Sequence, residues 1–289
     1  MFQSFIFRLF TLALVAFTIH VKPAINSDIS DKSIVLTAQK QRLELELKEL
    51  LQNCSDYCEK LINSSFSFQC LEEIRERVYH SHQGKGSIID LSEDQQSRGS
   101  ELNKYVYSYQ IRYKDEEREE RRALKSINEN KRNQENAQLD TKYFKFDSFI
   151  FEPIHFLLLE NHDFFEYQIL GEHKLNNREV VVIHVKSNSL LDSEEIAGKL
   201  WIEKDEFSVM RMEFEMKSFN VMEGMTKSGD IYQVDSRRYI TVEYFSMIED
   251  IRLPSLCYVK EALIAPSAKV SFPRAEMYVY YSNYRAIDF

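Results

Sequence analysis

Residues 198–217 read GKLWIEKDEFSVMRMEFEMK, and their chemistry alternates along the chain. Met210, Met212, Phe214 and Met216 fall on one parity, and Arg211, Glu213, Glu215 and Lys217 on the other. That is the side-chain period of a β-strand with one apolar and one solvated face. Two such strands around a polar turn make a hairpin. Methionine is unbranched, polarizable and able to re-pack, so this apolar face suits either an ordinary core or a surface that accommodates variable apolar partners.

Working outward from this window, the flanking sequence is dominated by strand signals. Before it come 165–173, an Asn176-Asn177 turn that tolerates positive φ, and 179–186 (EVVVIHVK); after it come 239–248, 257–263 and 277–284. Further upstream, 66–79 and 104–113 (KYVYSYQIRY) read as strands, the second with Tyr105, Tyr107, Tyr109, Ile111 and Tyr113 on one face. About ten strands joined by short connections predict an antiparallel meander. The polar stretch 81–100 reads as a loop, and 126–138 as a surface connection or short helix. The run 114–122 (KDEEREERR) carries charges that nearly cancel and reads as a solvated hairpin tip and strand start.

Two segments stand apart from the strands. Over 33–63, Leu43, Leu45, Leu47, Leu50, Leu51, Tyr57, Leu61 and Ile62 recur at spacings that fit one long amphipathic helix, which needs a surface to pack on. Residues 149–159, FIFEPIHFLLL, are the most apolar run beyond the N-terminal segment, yet too short to cross a membrane and interrupted by Pro153. This run is either a core helix or a lid over an apolar hollow. The fold class is mainly β (α+β), an antiparallel meander with one long helix in front of it.

A chain of 289 residues that is 44% hydrophobic and 13% aromatic can bury a sizeable core. Its net charge of −9, with no basic cluster, excludes a nucleic-acid partner. The N-terminus, MFQSFIFR followed by an apolar run over 9–21, reads as a secretory signal within 1–27, with an uncleaved anchor as the alternative. No cysteine follows closely enough for lipidation, so the mature chain, a single domain over 33–289, is expected to be extracytoplasmic, periplasmic or secreted. Four cysteines in an exported chain suggest disulfides. Cys54 and Cys58 share one helix face and are poorly placed to bond each other, so Cys58 is expected to pair with Cys70, leaving Cys54 with Cys257.

Catalytic signals are sparse. His80 and His82 share a strand face without a third ligand, no CxxC pair marks a zinc site, and G-x-S-x-G, H-E-x-x-H and phosphate-loop patterns are missing from a chain with seven glycines. No catalytic residue, metal or cofactor is expected, and the chain is not read as an enzyme. Two Asn-x-Ser sequons, at Asn53 and Asn63, match a short pattern that arises often by chance.

The element order and two motifs resemble the bacterial lipoprotein-carrier superfamily, the group containing LolA, LolB and RseB and the outer-membrane lipoprotein-sorting proteins. The likeness is carried by Gly198, Trp201, Ile202, Lys204, Phe207, Val209, Arg211 and Glu213, and by Arg252, Leu253 and Pro254. The resemblance implies a strongly curved antiparallel sheet forming an unclosed β-barrel, covered by the long N-terminal helix and the short apolar lid segment, with an inner apolar face that takes acyl chains of lipids or lipoproteins. On that reading Met210, Met212, Phe214 and Met216 face Phe149, Phe151, Phe156 and Leu157 across a hydrophobic ligand site. The second class is an RseB-like envelope sensor or scaffold, which would bind a membrane or envelope protein through the tyrosine rows at 105–113 and 278–284. The chain departs from the family in its greater length, its cysteine set and the lack of an arginine equivalent to the one that closes the LolA lid.

Overall fold

The computed structural model describes residues 27–63, 67–79, 88–90, 99–114, 117–146, 149–188, 194–218, 222–225, 231–248 and 250–287. The expected signal segment up to residue 26, the pair His80 and His82, and Ser64 and Ser65 of the second sequon lie outside the described residues. The chain divides into two compact units, Met1–Arg42 and Leu43–Phe289. In the first, the described residues 27–42 are helical.

Helix α1 (Ser27–Asn63) precedes β1 (Phe68–Tyr79), β2 (Ile88–Asp90), β3 (Ser100–Lys114), β4 (Glu117–Ile127) and β5 (Asn130–Gln134). A short helix α2 (Glu152–Leu157) and a 3-10 turn (Leu159–Phe164) lead into β6 (Phe165–Leu175), β7 (Arg178–Ser187), β8 (Glu194–Glu203) and β9 (Val209–Ser218). The chain finishes with β10 (Met222–Met225), β11 (Ile231–Glu243), β12 (Ser246–Ile248), β13 (Ile251–Leu253), β14 (Leu256–Ala265) and β15 (Val270–Ala286).

Among the described residues, eleven strands lie along one sheet in the order β5-β4-β3-β1-β15-β14-β11-β9-β8-β7-β6, with β10 branching from β11, and β5 and β6 at its two ends do not pair, so the sheet is not closed. Each neighbouring pair along this path is antiparallel. β1 sits inside the path, paired with β3 on one side and with the last strand, β15, on the other. The chain therefore builds one end of the sheet first, then restarts at the opposite end and works back.

That restart explains the position of the apolar run. The connection from β5 to β6 runs, in its described residues 135–146 and 149–164, against the core-facing side of the sheet, where Phe144, Phe149, Ile150, Phe151, Phe156 and Leu157 join the main core. Pro153 stands at the start of α2, where a missing N–H costs no helical hydrogen bond. The crossing is pinned at its centre by Glu76 of β1, fully buried, whose carboxylate accepts the backbone N–H groups of Lys142 (2.6 Å), Tyr143 (2.9 Å) and Phe144 (3.0 Å). Three convergent donors need an anion with two oxygens. Glu76→Gln is expected to lower stability by about 2 kcal/mol in urea unfolding, because an amide turns one acceptor into a donor against those N–H groups.

The second half of α1 covers the same face. Leu50, Leu51, Cys54, Tyr57, Cys58 and Leu61 follow the helical period and are buried in the main core, with Leu47 packed at its margin. Leu43 and Leu45, read as part of that stripe, are exposed at 47% and 68%, so the apolar contact begins at Leu47. Asn176 and Asn177 take positive φ (49° and 64°) and close the β6–β7 hairpin as their chemistry predicts.

Other expectations are corrected. The surface connection or short helix expected over 126–138 is instead, over 126–134, the end of β4 and the exposed edge strand β5, joined by a turn in which Asn128 and Glu129 adopt φ of 47° and 67°; only 135–138 is a turn and irregular connection. Of the loop expected over 81–100, residues 81–87 and 91–98 lie outside the described residues, while 88–90 form β2, which pairs in parallel with β10. The strand expected over 239–248 breaks at Tyr244 and Phe245, and β12 pairs with β13 in a separate ribbon. Cys58 and Cys70 do not form the expected disulfide; all four cysteines are free and buried. Their surroundings differ, Cys58 lying near Tyr57 and Tyr244 and Cys70 beside the Tyr284 hydroxyl. Burial pushes the Cys58 thiol up to about 12 and raises Cys54, Cys70 and Cys257 as well. Thiol-directed alkylation should therefore leave the native protein unlabelled at pH 8 and label four sites in denaturant; a count of two would reinstate one disulfide.

Candidate functional site

The core-facing side of β9 presents Met212 and Phe214, both buried, and Met216, half-buried. Phe156 of α2 stacks on Phe214 with ring centroids 4.2 Å apart and planes 13° apart, so the apolar segment and the methionine strand meet directly. Met210 does not share this face. Trp201 pairs with Arg211 and Ile202 with Val209, which leaves Met210 as the extra residue of a β-bulge. The bulge returns Val209 to the main core and packs Met210 against Val180 and Val182 in a separate cluster bordered by Trp201. Strict alternation places Met210 with Met212; the bulge shifts its parity.

Two hollows flank α2. The first, about 380 Å³, is walled by Phe156, Phe164, Phe165, Ile196, Met212, Phe214, Met216 and Ile240, with Glu152, His155 and Asn161 at its margin. The second, also about 380 Å³, shares Glu152, His155, Met216 and Ile240 and extends past Phe144, Phe146, Phe149 and Phe151 to Arg118, Glu120, Lys145 and Arg238. A wider, more open cleft of about 770 Å³ continues from Arg118, Glu120, Lys145 and Phe146 to Arg122 and Leu139. The first two volumes lie within the range of small-molecule sites, about 300–1,000 Å³.

The expected site residues are thus largely brought together. Met212, Phe214, Met216 and Phe156 line the first hollow, and Phe149, Phe151 and Met216 the second. Leu157 is fully buried in the core beneath them. The segment over 149–159 is both core and cover. Its carbonyls accept the Tyr244 hydroxyl at Phe149 (2.7 Å) and the Tyr167 hydroxyl at Phe156 (2.6 Å), and the Leu159 N–H donates to Ser55 Oγ on α1 (2.9 Å).

Charge is unevenly placed around the hollows. Glu152 stands between them, and burial pushes its carboxyl above the usual range against the opposing influence of His155. A raised folded-state pKa means that ionisation costs stability once pH exceeds the unfolded value of about 4.3. Glu152→Gln removes that cost, so its melting temperature should match the parent near pH 4 and exceed it at pH 7. An equal offset at both values would contradict the assignment.

Arg118, Glu120 and Arg122 went unrecognised in the charge run. Glu120 and Arg122 face inward because their partners in β3 are the buried Ile111 and Tyr109, and Arg118 shares their parity. Arg122 is nearly buried, bonded to Glu72 (2.8 Å) with its guanidinium 4.5 Å from the Tyr109 ring centroid. The signal was available: Leu124 and the charges two and four residues before it share one parity. The tyrosine row itself is core, with Tyr105, Tyr107 and Tyr109 all buried, which removes it as an interface.

The two motif windows behind the family resemblance meet at one buried ion pair. Arg252 donates from Nε to Ser208 Oγ (2.6 Å) and from Nη2 to Glu203, which also receives Arg178 (2.6 Å). The Arg252 backbone N–H donates to the Tyr57 hydroxyl (3.1 Å), tying the β8–β9 turn to both β13 and α1. This assembly holds the scaffold and lines neither hollow.

No protein-family model matches the chain, and no curated protein matches it. Several solved structures are similar to it. An outer membrane lipoprotein-sorting protein domain from Vibrio parahaemolyticus has 10% identity and a TM-score of 0.35, over 82% of this chain and 91% of its own. A LolA superfamily protein from Nitrosomonas europaea has 12% identity and a TM-score of 0.30, over 82% and 94%. MucB, solved in complex with MucA(peri), has 9% identity and a TM-score of 0.22, over 83% and 98%. Among the described residues no cluster of three or more His, Cys, Asp or Glu side chains could hold a metal ion, and no helix is long and apolar enough to cross a membrane.

Proposed function

We propose that this chain is an extracytoplasmic carrier or chaperone that shelters the acyl chains of a lipid or lipoprotein on the inner face of its sheet. The observation that carries the reading is the pair of hollows beside α2, the first walled by Phe156, Phe165, Ile196, Met212, Phe214 and Met216. An apolar hollow gains about 0.8 kcal/mol per methylene taken from water, so a chain of about fourteen carbons supplies roughly 10 kcal/mol before ordering costs. The signal-like N-terminus supports export, and residues 33–289 would form the carrier domain.

The test is native mass spectrometry of the mature protein with lipid analysis of what co-purifies, repeated with Ile196→Trp and Met216→Trp. Both positions are half-buried, so a larger ring fills the space without entering the packed core. Co-purifying acyl lipid, lost in both variants, supports the carrier. Ligand-free protein that also takes up no fluorescent fatty acid contradicts it.

The second reading is an RseB-like sensor or scaffold that binds an envelope protein. It draws on the outer-facing ladder of Tyr258 and Tyr278 (ring centroids 4.6 Å apart) and Tyr280, with the Arg75 guanidinium 5.1 Å from the Tyr280 ring. Exposed tyrosine and arginine are interface-forming residues.

A further inference from the structure

We propose that the ligand is an amphiphile with an anionic oxygen headgroup, carboxylate or phosphate, held by Arg118 and Lys145 while its chain passes α2 into the apolar hollow. This rests on the carrier reading and names the chemistry of the ligand's polar end. The two hollows share Glu152, His155, Met216 and Ile240, so one molecule can occupy both sides of the short helix. Their walls are unlike: the side near Phe165 and Ile196 is apolar, and the other side opens toward Arg118 and Lys145 and the wider cleft. An alkyl chain with a polar end matches that gradient in only one direction.

The cations at the open end are not equivalent. Arg122 is paired with Glu72 (2.8 Å), and Arg238 with Glu261 (3.1 Å), a carboxylate that Arg274 also reaches (3.5 Å). Lys145 Nζ is held by backbone carbonyls of Leu139 (2.8 Å) and Thr141, which orient the ammonium without cancelling its charge. Arg118 reaches Glu120 only at 3.8 Å, and the other oxygen of Glu120 accepts the Tyr109 hydroxyl (2.9 Å). The Arg118 guanidinium lies 3.9 Å from the ring centroid of Phe151, which fixes it over the mouth of the hollow. Among the described residues, Arg118 and Lys145 at the mouth face Glu120 at a distance, while Glu152 on the inner wall is held toward its neutral form by burial, so the mouth favours an anionic headgroup. Arginine and lysine donors suit carboxylate and phosphate oxygens alike.

The experiment compares hexadecanoate, hexadecyl phosphate and hexadecanol, displacing a fluorescent fatty acid from the full mature protein and from Arg118→Gln/Lys145→Gln. Both positions are exposed, so the double variant is expected to fold, which an unchanged melting curve would confirm. At least one anion should bind about tenfold more tightly than the alcohol to the parent, and the variant should erase that advantage while leaving alcohol binding unchanged. The tighter anion identifies the headgroup. Equal binding of alcohol and anions, or equal losses for all three in the variant, overturns the inference while leaving the carrier reading intact. Failure of all three ligands to bind the parent overturns the carrier reading itself, and this inference with it.

Discussion

Gly198→Ala is expected to destabilise the protein by about 3 kcal/mol or more. A Cβ at this position would lie 2.1 Å from the Glu213 carbonyl oxygen, 2.8 Å from Phe214 Cα and 2.6 Å from Phe214 Cδ1. Two of those three atoms are backbone of the neighbouring strand and cannot swing aside, so β8 and β9 would have to separate at the Gly198–Phe214 pair. The damage reaches the hollow, because Phe214 is both the partner of Gly198 and the ring on which Phe156 stacks. Urea unfolding of the variant reads the effect, and a midpoint equal to that of the parent would show that the close approach is not required.

Arg252→Met is expected to cost about 3 kcal/mol at neutral pH, because it leaves a buried carboxylate without its principal partner. Glu203 is 1% exposed and Arg252 5%, so neither charge can recover its loss from water. Arg178 still reaches Glu203 at 2.6 Å, which keeps the loss toward the lower end for broken buried pairs. Burial alone would raise the Glu203 carboxyl, but Arg252 and Arg178 together hold it below its ordinary value. A lowered folded-state pKa contributes stability that is present above the unfolded value of about 4.3 and lost as pH falls toward the folded one. The gap between parent and Arg252→Met should therefore narrow below about pH 4. In the double variant Glu203→Met/Arg252→Met both charges are gone, and most of the stability should return. A double variant as unstable as the single one would place the loss in packing rather than charge.

Much of this architecture was legible in sequence because its signals are local. The parity of 198–217, the Asn-Asn turn, the helical period from Leu47 to Leu61 and the apolar run over 149–159 each depend on neighbours within a few residues. Strand order was less accessible. A meander was expected, whereas β1 pairs with β15 and the chain restarts at the far end of the sheet, a choice made by contacts some two hundred residues apart. The bulge that turns Met210 away is one residue wide and leaves no compositional mark, so parity alone misplaced it. Arg118, Glu120 and Arg122 are hidden for the opposite reason: the run 114–122 is charged at every position, so it has no apolar–polar alternation of its own to set its phase. The cysteines were read through their expected compartment, yet their burial among tyrosines is a property of the assembled core.

The central claim is that alkyl chains enter the hollow between α2 and β9, and the most direct test is a crystal structure with a fatty acid brominated at its methyl end. The account predicts anomalous bromine density beside Phe165, Ile196 and Phe214, with the carboxylate directed toward Arg118 and Lys145. Bromine on the outer face of the sheet, or no site at a saturating concentration, would contradict it.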